Sequence, residues 1–157
     1  MNKMVLILLT ALMAACGPVK QQNGNMEEAS SENQKQVSFE VLVQHSHGGY
    51  DKPQIKVIKE PTELQAVYAK INMTRRPGFP IPEVDFDKEM IIGLYMGEKN
   101  SGGYSISIDS VEETKNELII NVKESEPGLV ATTVICQPFC IVKMPTTKKE
   151  VVFKKVS

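Results

Sequence analysis

Strict apolar–polar alternation marks Tyr104-Ser105-Ile106-Ser107-Ile108, the period-two signature of a strand with one wet face. Weaker alternation over residues 37–44 places Phe39, Val41 and Val43 on one face of another strand. Residues 54–59 put Ile55, Val57 and Ile58 in a third. The pattern then changes period. Leu64, Val67, Tyr68 and Ile71 recur at i, i+3, i+4 and i+7, which is one face of a helix, and Pro61 and Thr62 stand near its start. Residues 90–96, MIIGLYM, are almost wholly apolar and read as a strand buried on both faces, central to its sheet. SISIDSV, ELIINVK, TTVICQPFCIVKM and EVVFKKV supply four more strands. Short turn signals between them predict antiparallel neighbours. Pro138 inside the sixth strand implies a bulge, a bend or an edge, because proline donates no ladder hydrogen bond. Residues 74–82, TRRPGFPIP, read as a stiff extended loop. The fold class is therefore α+β: a bent antiparallel sheet of about six to seven strands with one packed helix.

The rest of the chain changes the picture at its N-terminal end. Lys3 precedes an apolar run over residues 4–13, which fits the core of a secretory signal and is too short to span a bilayer. Met13-Ala14-Ala15-Cys16 resembles a bacterial lipobox. That resemblance implies a signal peptide over residues 1–15 and a mature chain beginning at a lipidated Cys16, with a membrane as first partner. Several acyl chains anchor a protein stably where one binds marginally. The expected address is the cell envelope, at the outer membrane or cell surface. Residues 17–36 are polar apart from Val19, Met26 and Ala29, too few apolar groups to offset chain entropy. With Cys16 they read as a disordered tether, spanning roughly 25 Å as a flexible coil. Residues 37–157 remain for a single globular domain.

Charge adds little. The formal net charge is −1, and no basic stripe suggests nucleic acid. Cys136 and Cys140 lie i, i+4 in CQPFC. A straight strand would hold them about 13 Å apart, beyond the roughly 7 Å that a disulfide tolerates. Only a bend at Pro138 would join them, so buried packing thiols are expected. His45-Ser46-His47 and the acids Asp85, Asp87 and Glu89 share strand spacing, yet each reads as a polar loop or a solvated strand entry, and no metal or other cofactor is expected. Asn72-Met73-Thr74 matches a glycosylation sequon, discounted in a bacterial lipoprotein. No nucleophile elbow, metal cluster or phosphate loop is visible, and the chain is not read as an enzyme.

One resemblance carries the functional expectation. VDFDKEMIIGLYMGEKNSGGYSISIDSV, followed by QPFCIVKMP, resembles the PrcB-like family of bacterial lipoproteins across about residues 50–153. The elements that carry the likeness are Asp85, Phe86, Gly97, Gly102, Gly103, Tyr104, Pro138, Phe139 and Pro145. The resemblance implies a membrane-anchored, non-catalytic accessory lipoprotein that associates with a secreted or surface protease. The expected partner-binding residues are Ser101, Gly102, Gly103, Tyr104, Pro138 and Phe139, with residues 100–103 as an exposed turn. NSGGY and QPF are also similar to the loop motifs of chagasin-like cysteine-protease inhibitors. That makes inhibition one alternative, and a structural envelope lipoprotein without a ligand is another.

Overall fold

The computed structural model describes residues 34–129 and 132–156. The expected signal peptide and lipidated Cys16 lie outside the described residues. So does most of the tether, but its predicted end does not. Strand β1 (Lys35–Gln36) already pairs with β5 (Ser105–Glu113) ahead of the predicted domain boundary at Val37.

The remaining elements are β2 (Glu40–His45), β3 (Pro53–Ile58), α1 (Pro61–Ile71), β4 (Glu89–Met96), β6 (Glu117–Ser125), β7 (Phe139–Pro145) and β8 (Glu150–Val156). The fold is α+β, but the strands form two four-stranded sheets instead of one bent sheet. One sheet has the order β1-β5-β6-β8 and the other β2-β7-β4-β3. The apolar run in β4 explains the division, because a strand buried on both faces needs a cover on each. Met90, Ile92, Leu94 and Met96 point into a core shared with Ile106, Ile108 and Val111 of β5 and Leu118, Ile120 and Val122 of β6. Ile91 and Tyr95 point the other way, against Leu64, Val67, Tyr68 and Ile71 of α1. β7 divides its residues likewise, with Cys140, Val142 and Met144 inside the sandwich and Phe139 and Ile141 beneath the helix. The layers are thus helix, sheet, sheet.

Each fully buried aliphatic side chain of α1 contributes about 1.5–3 kcal/mol of transfer free energy. Glu60 is the N-cap without a side-chain cap bond, and Pro61 sits in the first turn, where its missing N–H costs nothing. Opposite the helix, Gly93 leaves the space that the Tyr95 ring occupies. A Cβ at Gly93 would lie 2.8 Å from the Tyr95 hydroxyl.

Two bulges set which side chains enter the cores. The β5 register shifts between Ile108 and Ser110, so Val111 follows Ile106 and Ile108 inward. A shift between Val41 and Val43 turns β2. The expectation of a single face for Phe39, Val41 and Val43 is corrected here. Phe39 packs on the sandwich core, Val43 lies under the helix, and Val41 is exposed. An extra residue reverses the alternation beyond it.

β6 and β8 pair in parallel, correcting the expectation of antiparallel neighbours throughout. Parallel neighbours need a long crossover, and here the chain makes it through β7 of the facing sheet. The long sixth strand is also shorter than its apolar pattern. Regular pairing begins at Phe139, and Cys136 forms only an isolated bridge with Lys99. Among the described residues no helix is long and apolar enough to cross a membrane.

Candidate functional site

The stretch from Gly97 to Tyr104 carries the chain from β4 in one sheet to β5 in the other. It is a crossover and not a hairpin. Gly97 adopts φ +73°, and a Cβ there would lie 2.6 Å from the Pro53 ring. The Lys99 N–H donates to the Cys136 carbonyl at 2.8 Å, and the Cys136 N–H returns a bond to Lys99 at 2.9 Å. The Gly102 N–H donates to the Thr132 carbonyl at 2.9 Å. Gly103 adopts φ +92° against Pro127, a conformation open to glycine and strained for other residues.

These bonds correct the expectation of an exposed turn in its middle. Ser101 and Gly102 are half-buried under the segment that leads into β7, while Asn100 and Gly103 are exposed as expected. The Ser101 carbonyl accepts a bond from the Cys136 thiol. Cys136 and Cys140 are both free and buried, in line with packing thiols. Burial pushes Cys140 up to about 11. Burial also raises Cys136, and nearby Lys99 partly opposes the rise.

The second motif meets the first. The Pro138 carbonyl accepts the Met96 N–H at 3.0 Å, which fastens the start of β7 to the end of β4. Phe139 then turns under the helix and stacks on Tyr95 with ring centroids 6.2 Å apart. Tyr104 and Phe139 line one shallow groove of about 340 Å³, together with Gln44, His45, Ser46 and Ile106. The Gln44 amide crosses the groove and donates to the Ile106 carbonyl at 2.9 Å. The motifs therefore share one end of the sandwich, but their aromatic residues differ in role. Phe139 is 0% exposed and forms the floor. Pro138 is buried as well. Tyr104 is half-buried, with Lys99 Nζ 5.2 Å from its ring centroid, and is the aromatic surface left for contact.

The sequence reading missed a polar cluster at the rim. His45 Nδ1 accepts the His47 N–H at 3.0 Å. Arg75 Nη2 lies 3.0 Å from the same nitrogen and 3.3 Å from Nε2. The Arg75 guanidinium also covers Phe79 at 4.3 Å from the ring centroid. Asn72 fixes this loop, accepting the Phe79 N–H at 2.7 Å and donating to the Phe79 carbonyl at 2.9 Å. Burial, and then the charge of Arg75, hold His45 below its ordinary range. No three His, Cys, Asp or Glu side chains converge as a metal site among the described residues. A usable signal was present in the sequence, since the only two arginines are adjacent and sit in a loop rich in proline.

No curated protein and no solved structure matches the chain. A family model described as PrcB C-terminal matches residues 90–145, a shorter stretch than the likeness seen over residues 50–153. It runs from β4 through β7 and includes the crossover, Tyr104 and the buried Pro138–Phe139 pair. The stretch that builds most of the sandwich core and both motifs of the groove, residues 90–145, is thus the part of the chain that is similar to the PrcB C-terminal family.

Proposed function

We propose that this chain is a membrane-anchored, non-catalytic accessory lipoprotein that binds a secreted or surface protease through the Tyr104 groove. The observation that carries the reading is the family match over residues 90–145, the segment that also brings Tyr104 and Phe139 into one groove. A half-exposed aromatic beside a shallow cleft offers contact area at low entropic cost. Lys99 above the Tyr104 ring and the Gln44–Ile106 bond hold that surface in place before a partner arrives. Cys16 supplies the lipid anchor, and the segment between it and β1 supplies the reach.

The test is capture from detergent-solubilised membranes of the source cells, using the full chain, with mass spectrometry of what co-purifies. The expected result is a protease retained by the native chain and reduced at least severalfold by Tyr104→Ala, at an unchanged melting temperature. Cys16→Ser is expected to release the chain from the membrane fraction. A protease retained equally by Tyr104→Ala, or no protease at all, overturns the reading.

A further inference from the structure

We infer that Arg75, Arg76, His45 and His47 form a binding site for a carboxylate carried by a partner polypeptide. The inference rests on the reading of this chain as a binding module and names the charge that its partner presents. These four residues are all the arginines and all the histidines of the chain. His45 ends β2 and His47 lies just beyond it, Arg75 and Arg76 lie in the loop after α1, and they meet at one corner of the helix-covered sheet.

Among the described residues none of them has an acidic partner. Every ion pair among the described residues uses a lysine. Arg75 is nevertheless held rigidly. Its guanidinium lies over Phe79 and against the His45 ring, and Nη2 reaches the His47 carbonyl at 3.5 Å. Its Nε is buried with no hydrogen-bond partner. A buried donor without a partner is costly, so the guanidinium is kept in this place at a cost to the fold.

The space beside it is open. A cleft of about 310 Å³ is lined by His47, Gly48, Ile71, Thr74, Arg75 and Arg76. Arg76 directs Nη1 to the carbonyls of Asn72 and Arg75, which offsets the partial negative charge at the end of α1. The chemistry favours a carboxylate. A planar guanidinium edge matches two coplanar oxygens, and the nearby helix C-terminus disfavours the second charge of a phosphate dianion.

The test is a titration of the full chain, labelled with nitrogen-15, followed through the arginine Nε–H signals. The chain has two such signals, assigned with Arg76→Lys. The first probe is an N-acetylated, C-amidated tripeptide with a central glutamate. The second has glutamine instead, the third is an N-acetylated dialanine with a free C-terminus, and the fourth is inorganic phosphate. Saturable movement of the Arg75 signal by the first or third probe, and none by the second, is the expected result. Which of the two binds more tightly separates a side-chain carboxylate from a terminal one. Arg75→Lys, with its fold checked by the amide spectrum, should weaken binding by about tenfold when read from the histidine C–H signals. The inference is overturned by equal shifts with glutamate and glutamine, by no saturable shift with either carboxylate, by unchanged affinity in Arg75→Lys, or by tighter binding of phosphate. These probes require no protease, so this result and the capture experiment succeed or fail separately.

Discussion

The Cys136 thiol donates a 2.9 Å hydrogen bond to the Ser101 carbonyl oxygen. This bond joins the crossover between the sheets to the segment entering β7, and it needs a free thiol. In an intact-mass measurement under denaturing, non-reducing conditions, an alkylating reagent should therefore label both Cys136 and Cys140. In the native fold neither should react quickly, because both are buried and their thiolates are disfavoured. Failure to label either under denaturing conditions would show a bridge between them.

Gly103 and Gly128 form a matched pair for testing the crossover. Gly103 combines φ +92° with Pro127 Cβ 2.8 Å from any added Cβ, whereas an added Cβ at Gly128 meets nothing within 4 Å. Gly103→Ala should cost about 1–3 kcal/mol in urea unfolding. Gly128→Ala should stay within about 0.5 kcal/mol of the native value. Equal effects would mean that the positive φ of Gly103 is not needed.

Gly93 and Tyr95 offer a test of the helix-covered face. Gly93→Ala drives a methyl group into the Tyr95 ring and should cost about 1–3 kcal/mol. The Tyr95 hydroxyl is buried without a partner, so Tyr95→Phe should leave stability unchanged or raise it by about 1 kcal/mol. A clear loss in Tyr95→Phe, measured by chemical unfolding, would show that the hydroxyl is satisfied in solution.

Alkali should destabilise this domain through its buried acids, Cys140 and Tyr68 among them. Burial raises Cys140 from 9.0 to about 11 and Tyr68 from 10.0 to about 12. Both groups lose their protons more easily in the unfolded chain, so the native state binds more protons as pH rises. Their contribution is complete below about pH 9 and is lost as pH climbs through 11 and 12. The urea midpoint should fall across that window. In the double variant Cys136→Ala/Cys140→Ala the fall should begin about one unit higher, near the unfolded value of Tyr68. An unchanged onset in that variant would remove the thiols from the account.

The helix and the central strand were legible because their patterns are local. Leu64, Val67, Tyr68 and Ile71 share a face by spacing alone, and all four are buried. The near-continuous apolar run of β4 announced burial on both sides. The division into two sheets was not legible, because the turn chemistry of Gly102 and Gly103 is the same in a hairpin and in a crossover. The parallel pairing of β8 is also invisible locally, since the pattern of Val151 and Phe153 fixes a face and not a neighbour or direction. Phe139 shows the same limit at the site. A proline–aromatic pair reads equally as a presented wedge or as a floor, and burial by Tyr95 and α1 decides for the floor.

The parallel partnership of β6 and β8 sets the order in which this domain can be completed. β8 follows β7, and its place beside β6 depends on that return path through the facing sheet. Loop closure over such separations must be met before the contacts reward it. A nascent chain can form the β5–β6 hairpin and lay α1 on its neighbours early. It cannot close the edge beside β6 until β8 itself is free to move. A chain cut before β8 would carry an open sheet edge able to pair with other chains.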